Sequence, residues 1–591
     1  MRGFIRVVAI MVAIGAVLVT VTGIVGPPIL ALLQHPAGSS RAQTSPGTIQ
    51  GRPYSGNAAS ESVLDKREAN RIVEARALAA SAGGHHVDQT RPFRVLTSGR
   101  ATLVLPQRTA AYPMSELASV APDSVRADGN DTTFDVAEHL LVMPGATLQI
   151  DAGQTIRLLS ESSGFSTIVS AGGTIQVEGN AQTRSVIESW DTSTGSLDTS
   201  TSDGRAYVRS IGGTLSIAGA DIRNLGFWSG ATGGLSASAP ASTAATLGPV
   251  STSSGTTTIA VAPAPSTSSR VQVTDVTIDS NAYGIALDGV ARSAVEGSRI
   301  TGSLVDGLLI RSAPDTTVTG TTISNNARDG INAAFSSRIS LTGDRIANNG
   351  RNGATIDRRP PATGPNPVGA TTAAASGAQL TKTTFDANAR YGVEVAGGSG
   401  GEIRANKVTG GLMGIVVKNR AAQTEVSDNT VAGQAQHGIA VLDGARDITV
   451  DGNRIHGAAV GLYLRNAQAA VTANRVDDAA VDAISLVGSL GGARVSGNTI
   501  TGTGASAIDV ARSHHAHVEN NLVDGWVASQ SLEQVVRGVL SPLTIVWSAV
   551  LALVALAVLW RLGSKERRRQ RAPLQQFSRG VFTREMAGQL R

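Results

Sequence analysis

Lys418, His437, Tyr463 and Arg465 are the residue types that proton-transfer chemistry beside a carboxylate requires. A Lys or Arg can meet a carboxylate through charge-assisted hydrogen bonds, and His or Tyr can serve as general base or acid. Lysine is scarce in this chain, found only at Lys66, Lys382, Lys407, Lys418 and Lys565, so Lys418 in such a group carries weight. These four are the candidate catalytic residues. All of them lie at or beside one recurring step in the sequence.

That step is Gly plus an aliphatic residue, recurring about every 23 residues: Gly284-Ile285, Gly307-Leu308, Gly330-Ile331, Gly353-Ala354, Gly392-Val393, Gly414-Ile415, Gly438-Ile439 and Gly461-Leu462. Ala483-Ile484 and Ala507-Ile508 continue it. A second mark is the Asn series Asn406, Asn429, Asn453, Asn474, Asn498 and Asn521. A fixed period of this size signals a solenoid. Within each unit apolar residues alternate over short stretches, the period of a strand, and Gly, Asn and Asp supply the turns. Three short strands per unit predict an all-β fold, a parallel β-helix whose rungs stack about 4.8 Å apart. The Asn column then forms a ladder of amides bonded along the stack. In the strand after each Gly the aliphatic residues point inward, so the alternate positions face out on one sheet. Read in this register, Arg311, Asn332, Asp357, Glu394, Lys418, Tyr463 and Arg465 form the candidate binding face, with Asp288, Leu309, Thr355 and Asp509 beside them. Gly226-Phe227-Trp228 in an earlier coil adds Trp228, an apolar plate.

The repeat resembles that of the pectin lyase-like superfamily of right-handed parallel β-helices, over about Leu141 to Asn521. In that superfamily substrate lies along the outer face of one parallel sheet, and members include polysaccharide lyases, hydrolases, epimerases and non-catalytic proteins. The resemblance implies a polysaccharide partner, an anionic polymer among the choices. Mannuronan epimerases of the same superfamily carry a Tyr-Gly-φ-Asp-Pro-His-Asp motif, where φ is aliphatic. Arg390-Tyr391-Gly392-Val393-Glu394 begins similarly, then runs Val395-Ala396-Gly397. The departure predicts binding without catalysis; the alternative is a lyase or C5-epimerase acting on uronic-acid polymers. A further outward column, Arg299, Arg345, Lys407, Arg454 and Arg475, is a second binding stripe.

The chain has no Cys, which excludes thiol chemistry and Cys-ligated metals. His514, His515 and His517 alternate along a strand and diverge, so no metal site is expected, nor any cofactor. Phe4 to Val25 follows Arg2 and Arg6 and is long enough to span a bilayer as an anchor or signal. Leu543 to Trp560 is a second apolar run, followed by Arg561, Lys565, Arg567, Arg568, Arg569 and Arg571. By the positive-inside rule both termini are cytoplasmic and the β-helix is extracytoplasmic on the cell membrane. The net charge of +5 is concentrated at the ends, so the region between them is acidic and nucleic acid is not an expected partner. Membrane-bound glycan synthesis or export proteins are the partners such a tether suggests. The expected organisation is an anchor in residues 1–34, a linker in 35–60, an N-terminal cap region in 61–140 and the β-helix in 141–526. Low-complexity inserts occupy 229–269 and 360–377; residues 527–562 hold the juxtamembrane segment and second span, and 563–591 the basic tail.

Overall fold

A computed structural model describes residues 50–83, 90–97, 99–129, 132–240, 249–252, 255–258, 269–357, 375–528, 547 and 550–558. From Gln50 onward these form one unit dominated by three long sheets of 16, 15 and 18 strands. One rung shows the plan. His437–Leu442 lies in the first sheet, Ile448–Asp451 in the second and Arg454–His456 in the third, and Val460–Arg465 then returns to the first beside His437–Leu442. The pairing between rungs is parallel throughout the repeat, for example Ile439 with Leu462, Val450 with Val471 and Ile455 with Val476. All six side chains point into the core and are buried. The expected parallel β-helix is the fold.

Two features of the sequence hold the stack together. The Asn ladder forms as expected: Asn406 Nδ2 donates to Asn429 Oδ1 at 3.0 Å, Asn429 to Asn453 at 2.9 Å and Asn453 to Asn474 at 2.9 Å. Ser298, Thr321, Asp344 and Thr383 extend the same column toward the N-terminus, each taking a backbone N–H from the rung before. A second ladder, Asn326–Asn349–Asn388, occupies another corner. The repeated Gly has a different reason. A Cβ on Gly438 would lie 2.5 Å from Ile455 Cγ2 and 2.7 Å from the carbonyl oxygen of Gly461, so close approach excludes any side chain.

The N-terminal elements divide the capping work. Phe93–Val95 and Thr102–Leu105 pair antiparallel and take the edge of the first sheet. Helix α1, Ala58–Gly83, is capped by Asn57, whose Oδ1 accepts the N–H of Ala59 at 3.1 Å. It lies on the outer face of the first sheet instead of its edge. Tyr207 Oη donates to Glu68 at 2.7 Å, and Arg71, paired with Glu68 at 2.8 Å, donates to Thr167 at 3.0 Å. Ile72, Ala75 and Ala79 are buried on the same side.

Within the expected insert 229–269, Gly234–Ser238 is a strand of the first sheet, between Tyr207–Ile211 and Tyr283–Asp288. Pro249–Thr252 and Gly255–Thr258 pair as an antiparallel hairpin. In the second insert, residues 358–374 lie outside the described residues, and Ser376 already bridges Ser337 and Ser399. Among the described residues no helix is long and apolar enough to cross a membrane. The expected span Phe4–Val25 lies outside them, as does the basic tail. Of Leu543–Trp560 only Trp547 and residues 550–558 are described, and these are helical and exposed.

Candidate functional site on the first sheet

The expected face exists as two outward columns of the first sheet. One runs Leu309, Asn332, Thr355, Glu394, Val416, Ala440 and Tyr463. The other includes Asp288, Arg311, Asp357 and Lys418, with Arg465 farther along. The face is not the bare solvated surface that alternation implies. Asn332, Thr355 and Glu394 are 2 %, 4 % and 5 % exposed, because long side chains from the preceding turns fold over them.

Those covering groups sit just before each Gly and were not singled out from the sequence. Asp306 accepts from Asn332 Nδ2 at 3.0 Å. Asp329 accepts from Arg351 Nε at 2.6 Å and from Thr355 Oγ1 at 2.9 Å. Asn352 donates to Thr355 at 2.9 Å and to Glu394 Oε2 at 2.6 Å, and Glu394 Oε1 is 2.6 Å from Lys418 Nζ. Burial pushes both aspartates toward higher pKa. For Asp329 the Arg351 guanidinium and its hydrogen bonds outweigh burial and hold it below the ordinary range. Asp306 stays above that range, because burial and the charge of Asp329 exceed the pull of Arg328 and Arg351. The signal was present as Asp306-Gly307, Asp329-Gly330 and Asn352-Gly353, a polar residue in register before three successive glycines.

Beyond Lys418 the face turns apolar. Tyr391, Val416, Ala440 and Leu442 form a buried cluster on this side of the sheet, covered by the half-buried Leu412, Met413 and Tyr463. His437 stacks on Tyr463, ring centroids 4.3 Å apart and planes 19° from parallel. Burial, with the positive charge of Arg465, lowers the His437 pKa to about 4, so the ring is neutral at pH 7, and its Nδ1 has no hydrogen-bond partner. Arg465 pairs with Asp443 at 2.9 Å, and both are about two-fifths exposed. Lys418 Nζ lies 5.3 Å from the Tyr391 ring centroid, and the Arg390 guanidinium covers that ring at 4.4 Å. The arrangement is an apolar aromatic shelf between two ion pairs.

Lys418, His437, Tyr463, Arg465 and Glu394 are thus brought together, while Arg311 is paired with Asp288 several rungs away. Trp228 does not belong to the face. Residues 226–228 are a turn, not a strand; Trp228 has φ of 50°, its N–H donates to Tyr54 Oη at 2.9 Å, and the two rings meet edge to face at 6.0 Å. The apparent Gly-aliphatic register there arises because Gly226 is needed for its positive φ of 80°. Among the described residues no group of three or more His, Cys, Asp or Glu could hold a metal ion.

Residues 265–366 and 368–523 match the family model described as right handed beta helix region. No curated protein matches the chain. Among solved structures, the periplasmic alginate epimerase AlgG is 13 % identical, with 72 % of this chain and 85 % of that one covered and a TM-score of 0.43. The A-module of an Azotobacter vinelandii mannuronan C-5 epimerase is 14 % identical, with 66 % and 91 % covered and a TM-score of 0.32. The catalytic domain of an alpha-1,3-glucanase is 13 % identical, with 65 % and 64 % covered and a TM-score of 0.35. At these values no residue role transfers. The match over residues 265–366 and 368–523 agrees with the parallel β-helix that these residues form.

Proposed function

We propose that this protein is a membrane-anchored, extracytoplasmic β-helix that binds a polysaccharide along the outer face of its first sheet, without catalysis. The observation that carries the reading is the half-buried apolar layer of Leu412, Met413 and Tyr463, seated on the buried Tyr391, Val416, Ala440 and Leu442 and bordered by Glu394–Lys418 and Asp443–Arg465. An apolar plate takes the face of a sugar ring, and border charges orient hydroxyl and carboxylate groups through charge-assisted hydrogen bonds. The Glu394–Lys418 pair is already engaged, which suits a binding surface more than a poised acid or base. A place beside membrane-bound glycan synthesis or export proteins follows from the tether.

The second reading, a lyase or C5-epimerase on uronic-acid polymers, is favoured by one observation. His437 is kept neutral with a free Nδ1 and stacks on Tyr463, a base beside an acid.

One experiment separates the two. The full-length chain is titrated with oligouronates and neutral oligosaccharides, while absorbance is followed for unsaturated uronate and NMR for epimerised sugars. Binding lost in Tyr391→Ala/Tyr463→Ala, with no turnover in the unchanged protein, supports the first reading. Turnover abolished by His437→Gln, with binding retained, supports the second. Binding unaffected by the tyrosine pair removes the shelf from consideration. For the anchor, a reporter fused after Arg591 should be active only in the cytoplasm, and activity outside overturns the two-span topology.

A further inference from the structure

The third sheet carries a separate outward column whose chemistry alternates with the rungs. Arg299, Arg345, Lys407 and Arg454 occupy every second rung, and Thr322, Thr384 and Thr430 fill the rungs between. The column opens with Thr277 and closes with Arg475 and Thr499, so no acidic residue stands in it across ten rungs. All the bases are exposed. Arg299, Lys407 and Arg454 have no ion pair or side-chain hydrogen bond among the described residues. Arg345 pairs with Asp386 at 3.1 Å and Arg475 with Asp477 at 2.9 Å. In each pair the arginine is exposed and the aspartate half-buried, and surface pairs of this kind contribute little.

Two rungs span roughly 10 Å, twice the spacing between neighbouring strands. That is about one Debye length at moderate salt, so adjacent bases barely reinforce one another and each must meet its own anion. A nucleic acid presents charge far more densely, about one phosphate every 3.4 Å along each strand. A linear glycan advances by about one rung per sugar. We propose that this column is a second binding site, for an extended polysaccharide carrying one anionic group on every second sugar, with the Thr hydroxyls meeting the neutral sugars between. It lies on a different sheet from the aromatic shelf and stands independently of that reading.

The test uses the full-length chain and a hyaluronan oligosaccharide of twelve sugars, which carries a carboxylate on alternate units. Polygalacturonate, charged on every unit, and single-stranded DNA are the comparisons. Arg299→Thr/Lys407→Thr/Arg454→Thr extends the existing Thr column and should fold; it should weaken hyaluronan binding about 30-fold, as expected for three exposed charge contacts. The exchange Lys407→Thr/Thr430→Lys keeps the net charge but breaks the two-rung spacing, and should weaken it several-fold. The proposal is overturned if hyaluronan does not bind, or if the exchange variant binds like the unchanged protein. Equal or tighter binding of DNA or polygalacturonate also overturns it, as does unchanged hyaluronan binding by the triple variant.

Discussion

Lys418 Nζ lies 2.6 Å from Glu394 Oε1 on the neighbouring rung, and the two side chains are only 14 % and 7 % exposed. Glu394 is held from its other oxygen by Asn352 at 2.6 Å. The outward register suggested that Lys418 could be removed without consequence for the fold. Removing one partner of a buried pair instead leaves the other charge uncompensated, at a cost of about 3–5 kcal/mol. Lys418→Ala should therefore lower the thermal midpoint clearly, and its binding loss would be confounded. Glu394→Gln/Lys418→Met, which removes both charges and keeps the bulk, should remain near the stability of the unchanged protein while binding acidic glycan less tightly. An unaltered midpoint for Lys418→Ala would mean that solvent already screens the pair.

Asp344 occupies a rung of the polar ladder where later rungs have Asn. Its Oδ1 accepts the N–H of Thr321 at 2.8 Å, but Oδ2 is buried without a partner. Burial pushes its pKa from 3.8 up to about 6. A carboxyl with a raised folded pKa contributes its stability below the unfolded value and loses it as pH rises through the folded one. The cost at pH 8 is on the order of 3 kcal/mol. Asp344→Asn should raise the thermal midpoint at pH 8, and the advantage should shrink on titration from pH 6 toward pH 4. A gain independent of pH would place the effect in packing.

Asn453 is fully buried, and its Nδ2 reaches the carbonyl oxygen of Val426 at 2.8 Å as well as Asn474 Oδ1 at 2.9 Å. Its Oδ1 accepts from Asn429 through both the backbone N–H and the side chain. Asn453→Leu leaves these groups unpaired at about 1–3 kcal/mol each. Thermal unfolding should begin earlier, and hydrogen exchange should quicken at Asn429, whose N–H loses its acceptor. Protection unchanged at that amide would argue against a continuous ladder.

The solenoid, the Asn column and the outward register were legible because a stacked rung forces identical positions into contact, so one periodic sequence reports every rung at once. The buried acids were harder to see. Asp306 and Asp329 look like ordinary turn residues until Arg351 and Thr355 are known to fold onto them, a contact between rungs that no single unit displays. Trp228 was misplaced because Gly226 and Gly438 look alike in sequence, yet only Gly226 adds a positive φ of 80° to its close packing, which puts a turn where Gly438 opens a strand. The seat of helix α1 on Tyr207 and Thr167 depends on residues about 100 or more positions away, which local sequence does not display.

Gly438 and Gly433 turn that distinction into a measurement. Gly433 sits at φ of 72° with nothing within 4 Å of an added Cβ, so Gly433→Ala bears only the conformational strain of the left-handed region, about 1–2 kcal/mol. Gly438→Ala has no positive φ to oppose it, but its methyl would meet Ile455 Cγ2 at 2.5 Å and Gly461 O at 2.7 Å. Neither can withdraw: Ile455 is buried in the core, and Gly461 is fixed by the next rung. Overpacking of this kind costs about 1–3 kcal/mol or more and is relieved by parting the strands. Because Gly438 adjoins His437, that parting should separate the His437 and Tyr463 rings as well. Gly438→Ala should therefore weaken binding at the aromatic shelf along with stability, whereas Gly433→Ala should lower stability alone. Equal binding losses in the two variants would show that the shelf does not depend on the tight approach of the rungs beneath it.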